Sequence, residues 1–129
     1  MARILIVDDE RDVATMLKFM LEKDGHVVEA AHDGRQALAA LGVDPADAAK
    51  TAPDLVILDV MMPELDGPAV CARMFADPRT KLVPVLMLTA KGGMRELHSV
   101  TPNVAAHIDK PFDPRALRDL VGEMMGGKD

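Results

Sequence analysis

The stretch PDLVILDVMMPELDG at residues 53–67 decides the fold predicted for this chain. Within it, residues 55–58 (Leu-Val-Ile-Leu) form an unbroken apolar run. Such a run is typical of a strand in the middle of a parallel sheet that helices cover on both faces. The run ends at a single carboxylate, Asp59, and the pair Asp66-Gly67 indicates a turn soon after it. Because chemistry collects at the carboxyl ends of strands in open α/β sheets, Asp59 is the first candidate for a functional residue.

The composition indicates a single domain that can fold by burying apolar side chains alone. It also favours a cytoplasmic location. The chain has 129 residues, of which 49% are hydrophobic, and this is enough for a single core. Its net charge of −6 and its lack of a Lys/Arg-rich run argue against direct binding of nucleic acid or an anionic membrane. The single cysteine, Cys71, excludes an intrachain disulfide and fits a reducing compartment. No apolar run is long enough to span a bilayer, and no secretory signal opens the sequence.

Strand patterns and helix patterns alternate five times along the chain. This alternation predicts a parallel sheet with right-handed crossovers and helices on both faces. We expect one domain at residues 1–125, followed by a frayed tail at residues 126–129. The last helix is expected to begin with Asp113 as its cap and Pro114 at its first position. The predicted strands are residues 4–7, 26–30, 55–58, 83–88 and 105–109.

Two segments interrupt this regular alternation. Residues 43–52 form a polar, Ala-rich connection that contains Pro45. We favour a surface insertion without chemistry over a short helical turn capped by Asp44. Residues 94–100 allow only about two turns of helix between a Gly-Gly pair and a proline. A mobile or irregular segment is therefore predicted at residues 92–103.

Polar or reactive side chains stand where four of the predicted strands end, namely Asp8 and Asp9, Asp59, Thr89, and Lys110. In a parallel sheet these ends share one edge, so three carboxylates would come close together. At about 4 Å and an effective dielectric near 20, each like-charge pair costs about 4 kcal/mol. A hard cation removes this repulsion. Mg²⁺, which binds carboxylates, water and phosphate oxygens, fits this set of ligands.

These residues together suit phosphoryl transfer, which needs positioning and neutralisation of charge. Asp59 would supply the attacking oxygen and become an aspartyl phosphate. The Lys110 ammonium would act as a point charge, and the Thr89 hydroxyl would donate to a phosphoryl oxygen. Taken singly, the acidic pair could only begin a helix, and the threonine and lysine could be a strand end and a solvated charge. Their joint appearance at four strand ends favours the functional interpretation.

The same residues resemble the receiver domains of two-component response regulators. The matching motifs are VDDE at residues 7–10, the stretch around Asp59, LTA ending at Ala90, and DKPF with Lys110. Together they cover nearly the whole chain, and their combination is specific. The resemblance implies a flavodoxin-like (βα)5 fold, which is a doubly wound parallel sheet of five strands in the order 2-1-3-4-5.

The resemblance also implies a role for the acidic residues. Asp59 corresponds to the phosphoacceptor, which receives its phosphoryl group from a phosphohistidine on a sensor histidine kinase or a histidine phosphotransfer protein. Asp8 and Asp9 correspond to the acidic pair that binds Mg²⁺ together with Asp59, and Mn²⁺ could substitute for it. The backbone carbonyl of Met61 corresponds to a further metal ligand.

Other residues correspond to the switching elements of the family. Thr89 is similar to the switch hydroxyl that moves toward the phosphoryl group, and Lys110 to the lysine that pairs with that group. The bond between Lys110 and Pro111 is expected to be cis. The family has an aromatic residue three places before the lysine, where this chain has His107. We favour the imidazole as a flat ring in that slot over a pH-sensing role, although histidine titrates near neutrality.

A phosphoacceptor switch is the expected function, and two alternatives stand beside it. The phosphorylated state would change a surface formed by residues 94–100, the last strand and the last helix, which an unknown downstream protein would read. Receivers phosphorylate and dephosphorylate themselves but are not turnover enzymes. One alternative is a Mg²⁺-dependent phosphohydrolase with an aspartate nucleophile, which commonly has a second Asp where this chain has Met61. The other is a receiver used only for docking. Whatever its function, the chain is expected to be either a free-standing receiver or one excised from a larger regulator or kinase.

Overall fold

The computed structural model describes residues 2–90 and 101–126, in which strands and helices alternate. The predicted short helix at residues 94–100 lies outside the described residues, as do most of the predicted irregular segment and residues 127–129 of the predicted tail. No helix in the described ranges has the length and apolarity needed to cross a bilayer. The elements are β1 (Arg3–Val7), α1 (Arg11–Lys23), β2 (Val27–Ala31), α2 (Gly34–Ala40), β3 (Leu55–Asp59), α3 (Gly67–Ala76), β4 (Val85–Ala90), β5 (Val104–Lys110) and α4 (Pro114–Met124).

All five strands are parallel and stand in the order β2-β1-β3-β4-β5, which confirms the predicted fold. Ile6 pairs with Ile57 across β1 and β3, and Leu58 pairs with Met87 across β3 and β4. The strand order changes direction between β1 and β3. Ligands in this class of sheet bind in the crevice at such a point, outside the carboxyl ends of the two strands.

The central strand β3 is buried at all five of its positions, because a layer of helices covers each face of the sheet. Val56 and Leu58 belong to one core layer, which is completed by residues of α2 and α3. Leu55 and Ile57 belong to the other, which is completed by residues of α1 and α4. Successive strand residues point to opposite faces, so burial on both sides requires the continuous apolar run seen in the sequence.

Three helices begin at an aspartate that caps the free backbone amides of the first turn. These side-chain oxygens accept hydrogen bonds that hold each helix in place at its start. Asp66, which follows the central strand, therefore shapes the loop after it, and Asp113 caps α4 as predicted. The three bonds are Gln36 N–H to Asp33 (2.7 Å), Ala69 N–H to Asp66 (2.9 Å) and Arg115 N–H to Asp113 (3.0 Å).

The connection at residues 43–52 contains turns and one antiparallel bridge between Val43 and Ala46, so the predicted alternative of a short helical turn is wrong. The physical reason is a distant side chain. The Arg79 guanidinium holds this connection in a non-helical path by donating hydrogen bonds to backbone carbonyls within it and just before it. Its acceptors include the carbonyls of Gly42 (2.5 Å), Asp47 (2.9 Å) and Lys50 (3.3 Å).

Candidate functional site

The carboxyl edge of the sheet brings together the predicted acidic residues. Asp8 directly follows β1, and Asp59 is the last residue of β3. One carboxylate oxygen from each of Asp8, Asp9 and Asp59 lies within 4.8 Å of the others. Asp8 and Asp59 are buried, whereas Asp9 is exposed to solvent. The parallel order of β1 and β3 therefore creates a compact group of three carboxylates from residues that are about fifty positions apart in sequence.

The loop after Asp59 turns tightly because a glycine allows it to approach the strand end. A Cβ atom on Gly67 would lie 2.6 Å from the backbone oxygen of Asp59 and 2.9 Å from the Cα atom of Val60. With no side chain there, the Gly67 amide donates a 2.9 Å hydrogen bond to the carbonyl of Val60. The Met61 amide donates to Asp59 Oδ1 over 3.3 Å, while the Met61 side chain is exposed. The loop thus orients the Asp59 carboxylate.

Lys110 at the end of β5 is the cation of the site. Its Nζ lies 2.9 Å from Asp8 Oδ2, 3.1 Å from Glu10 Oε1 and 3.4 Å from Asp59 Oδ2. Partial burial disfavours the ammonium, but its contacts with Asp8 and Glu10 and the attraction of Asp59 outweigh burial and raise the pKa of Lys110. The side chain consequently stays protonated and links β5 to the carboxylates at the ends of β1 and β3.

The Asp59 carboxyl is the group whose acidity changes most in this pocket. Burial and then repulsion by the Asp8 carboxylate raise its pKa, whereas Lys110 and the Met61 amide act in the opposite direction. The result is a pKa for Asp59 of about 7, well above the 3.8 that is ordinary for an aspartate. A carboxyl that is half ionised near neutrality, in a crevice at the switch point of the sheet, marks a candidate reactive group.

The raised pKa of Asp59 predicts that the metal-free protein loses stability as the pH rises. Between about pH 4 and about pH 7 the folded state holds a proton that the unfolded state has released, so the free energy of unfolding falls across this window and levels off above it. Asp59→Asn removes this proton linkage. Relative to wild type, the variant should gain about 2 kcal/mol between about pH 5 and about pH 8 in urea unfolding with a chelator present.

A control variant tests whether this pH effect belongs to Asp59. Asp66 caps α3 in the same loop, and asparagine also caps helices, so Asp66→Asn should follow the wild-type pH profile. An Asp59→Asn profile parallel to that of wild type would contradict the assignment.

The acidic group fits a hard divalent cation. Asp8 Oδ2 is fully buried and lies 2.9 Å from the Lys110 ammonium, a contact that leaves part of the acceptor capacity of this oxygen unused. Carboxylate oxygens are the ligands that Mg²⁺ prefers, and a buried oxygen with unused acceptor capacity is available to such an ion. Asp8, Asp9 and Asp59 can therefore hold a metal ion at the open side of the pocket, where Asp9 is exposed.

The predicted switch residues lie beside this pocket on β4 and β5. Thr89 is fully buried and pairs in register with Asp109, to which its hydroxyl donates a 2.6 Å hydrogen bond. His107 lies on β5 opposite Met87 and is exposed. The peptide bond between Lys110 and Pro111 is cis, which is the geometry expected from the sequence.

Two residues of the site were missed by sequence reasoning. Glu10 enters the sequence analysis only as the last residue of the motif VDDE, yet its carboxylate accepts a 3.1 Å hydrogen bond from Lys110. Asp109 was interpreted only as a strand residue. The signal that could have found Asp109 is its position beside Lys110, combined with the register of β4 and β5, which sets it against Thr89.

Cys71 has no part in the site. It is fully buried in the core layer of α3, and burial raises the pKa of its thiol to about 12. A thiol with so little thiolate is a poor nucleophile, so Cys71 acts as a packing residue, as the sequence indicated.

The chain is similar in sequence to known proteins. The family model described as "Response regulator receiver domain" matches residues 4–122. The "DNA-binding dual master transcriptional regulator RpaA" of Synechocystis sp. is 38% identical over 88% of this chain and 44% of its own length. The "Alkaline phosphatase synthesis transcriptional regulatory protein PhoP" of Bacillus subtilis is 38% identical over 92% of this chain and 46% of its own length. The chain thus spans less than half the length of these two relatives.

Solved structures agree with these sequence matches. A putative response regulator from Chloroflexus aurantiacus superposes with a TM-score of 0.81 at 33% identity, covering 97% of this chain and 98% of the other. The signal receiver domain of a signal transduction histidine kinase from Syntrophus aciditrophicus gives 0.82 at 33% identity, with 98% and 92% covered.

Proposed function

The chain belongs to the response regulator receiver domain family, and on this premise we propose that Asp59 is its phosphoacceptor. Receiver domains of two-component response regulators are phosphoacceptor signalling switches. The observation that carries the assignment of Asp59 is its position. It is buried at the end of the central strand, shares one carboxylate group with Asp8 and Asp9, and lies 3.4 Å from the Lys110 ammonium.

The proposed reaction is a displacement at phosphorus. A carboxylate oxygen of Asp59 attacks the phosphorus of a phosphohistidine, the P–N bond breaks, and its electron pair remains on the imidazole nitrogen, which takes up a proton. Asp59 must be ionised to attack, and although burial and the Asp8 carboxylate raise its pKa, a divalent cation among the carboxylates would favour the ionised form. The protonated Lys110 neutralises charge on the attacking carboxylate and on the transferred oxygens.

The metal that the pocket would hold is Mg²⁺, with Mn²⁺ as a substitute. Asp8, Asp9 and Asp59 are its proposed side-chain ligands, and the Met61 backbone carbonyl is a further one. When bound, the ion neutralises phosphoryl oxygens and removes the mutual repulsion of the carboxylates. Lys110 and the tight loop at Gly67 keep the Asp59 oxygens in place for this arrangement.

The phosphoryl group is proposed to act by shifting a conformational equilibrium that already exists in the free protein. The Thr89 hydroxyl would move and donate a hydrogen bond to a phosphoryl oxygen. The flat imidazole ring of His107 would then move as the second part of the switch. The surface that changes would include β5 and α4, together with residues 94–100. Partner proteins would then read the difference between the two states.

The proposed setting is a cytoplasmic phosphorelay. A sensor histidine kinase or a histidine phosphotransfer protein would donate the phosphoryl group, and an unknown downstream protein would respond. With a net charge of −6, the domain proposed at residues 1–125 would contact neither nucleic acid nor a membrane directly.

We further propose that the chain acts as a switch and not as a turnover enzyme. An aspartate-nucleophile phosphohydrolase needs a general acid beside its nucleophile. The residue two places after Asp59 is Met61, whose thioether cannot donate a proton.

Two phosphorylated compounds test the proposal in parallel. Acetyl phosphate with Mg²⁺ should add one phosphoryl group per chain, seen by intact mass, and a chelator should abolish the addition. A generic aryl phosphate should give no multiple turnover under the same conditions. Sustained release of aryl alcohol would support the hydrolase instead, and no mass gain with acetyl phosphate would overturn the proposed function.

A further inference from the structure

The Thr89 hydroxyl is held by a carboxylate that lies outside the acidic pocket. Its Oγ1 donates to Asp109 Oδ1 over 2.6 Å, and the carbonyl of Ile108 lies farther away at 3.5 Å. An O–H donor at this distance from a carboxylate forms a short, charge-assisted hydrogen bond, which is stronger than one between neutral groups. Thr89 itself is fully buried, whereas Asp109 is exposed, so water reaches the acceptor carboxylate but not the hydroxyl.

The register of the two strands produces this contact. Thr89 pairs directly with Asp109 across β4 and β5, so their side chains point to the same face of the sheet. The next pair in register is Ala90 with Lys110. Because successive strand residues alternate between faces, Asp109 and Lys110 point to opposite faces of the sheet. The Lys110 ammonium is engaged by Asp8, Glu10 and Asp59, and Asp109 is left to the threonine.

A hydroxyl has one proton, so the Thr89 hydroxyl can donate to only one acceptor at a time. Donation to a phosphoryl oxygen on Asp59 therefore requires that the bond to Asp109 breaks first. We propose that Asp109 is a positioning residue that holds the Thr89 hydroxyl in the unphosphorylated state and thereby sets the free energy of switching. This inference rests on the proposed function of Asp59. It attributes the position of the Thr89 hydroxyl in the unphosphorylated state to the hydrogen bond with Asp109.

The test measures the affinity of the protein for beryllium fluoride in the presence of Mg²⁺, because this fluoride complex imitates a phosphoryl group on a carboxylate. Asp109→Val removes both the acceptor and the charge, and it suits a strand position. It should tighten beryllium fluoride binding about fivefold, since a hydrogen bond that resists switching has been removed. Asp109→Asn keeps an acceptor oxygen without the charge and should tighten binding by a smaller factor.

Variants of Thr89 separate an effect of the Thr89–Asp109 hydrogen bond from a general effect of the Asp109 charge. In Thr89→Ala there is no hydroxyl to hold, so adding Asp109→Val should leave the affinity for beryllium fluoride unchanged. Thr89→Ser keeps a hydroxyl and should restore the effect of Asp109→Val. If Asp109→Val and Asp109→Asn tighten binding equally and the gain persists with Thr89→Ala, the effect is one of charge and the inference is overturned.

The inference and the proposed function fail in different ways. A wild-type chain that takes up phosphate from acetyl phosphate, with Asp109 variants that bind beryllium fluoride as wild type does, overturns only the role of Asp109. A wild-type chain that binds no beryllium fluoride and takes up no phosphate overturns both. Mg²⁺ affinity measured without fluoride should be the same in wild type and Asp109→Val, because the carboxylates that lie together are those of Asp8, Asp9 and Asp59, and Asp109 is not one of them.

Discussion

Replacing Asp59 by Asn is expected to abolish phosphate uptake from acetyl phosphate while the protein stays folded. An amide oxygen is a far weaker nucleophile than a carboxylate, so the loss should exceed about 10³-fold, which is the scale seen when a nucleophile is removed. Burial does not oppose this substitution, because asparagine has nearly the same shape and no charge to desolvate at a position that is 5% exposed. Intact mass after incubation with acetyl phosphate and Mg²⁺ measures the effect.

The matched control for this experiment is Asp66→Asn, which makes the same chemical change seven positions later in the same loop. Asp66 caps α3 and lies outside the carboxylate group, so this variant should take up one phosphoryl group as wild type does. A mass gain in Asp59→Asn equal to that of the control would place the phosphoacceptor on another residue.

Replacing Lys110 by Met is expected to affect both stability and chemistry. The ammonium lies 2.9 Å from the Asp8 carboxylate, which is fully buried, and 3.4 Å from Asp59. Removing one partner of a buried ion pair leaves a buried charge uncompensated, which typically costs about 3–5 kcal/mol. We expect a loss of about 3 kcal/mol in the free energy of unfolding without divalent metal, measured by urea titration.

Added Mg²⁺ should restore part of this stability, because a cation among the carboxylates replaces the missing positive charge. Phosphate uptake should stay at least about a hundredfold slower than in wild type even at saturating Mg²⁺, since charge on the transferred oxygens is no longer neutralised. Lys18→Met is the control, because the 4.0 Å ion pair between Lys18 and Glu22 is exposed and its loss should cost well under 1 kcal/mol. A Lys110→Met protein as stable as that control would contradict the role assigned to Lys110.

The fold could be predicted because its determinants are local in the sequence. The apolar run at residues 55–58 lies in β3, whose observed bounds are Leu55–Asp59, and Asp113 with Pro114 marks the start of α4. Burial of a strand on two faces and the capping of a first turn depend on neighbouring residues, so the pattern carries the information. The predicted first and last residues of the strands agree less closely with the observed ones. The fourth strand was predicted from residue 83, whereas β4 begins at Val85, directly after a proline that cannot donate to the sheet.

The acidic part of the site could be predicted for a related reason. Once the strands are known to be parallel, the ends of β1 and β3 must share an edge, and Asp8, Asp9 and Asp59 must approach one another. The contacts that could not be predicted depend on register and side-chain reach. Glu10 touches Lys110 across one hundred positions of sequence. The hydrogen bond from Thr89 to Asp109 likewise requires the exact pairing of β4 with β5.

The path of the connection at residues 43–52 also could not be predicted from the sequence. Its composition allowed a helical turn, but the Arg79 guanidinium binds its carbonyls from more than thirty positions away and fixes another path. No local pattern reports such a contact, because the donor and its acceptors are 32 and 37 positions apart in the sequence.

This arginine-held connection has a practical consequence. Lys50 and Pro53 line a surface cavity with Arg3 and Val27, which are the first residues of β1 and β2, so the connection sits at the amino ends of the strands. A five-residue strand spans about 16 Å, which separates this rim from Asp59. A fluorescent reporter or a fused peptide attached at residue 48 would therefore lie near the amino ends of the strands. It would not contact the carboxyl ends, where Asp59 is proposed to accept the phosphoryl group.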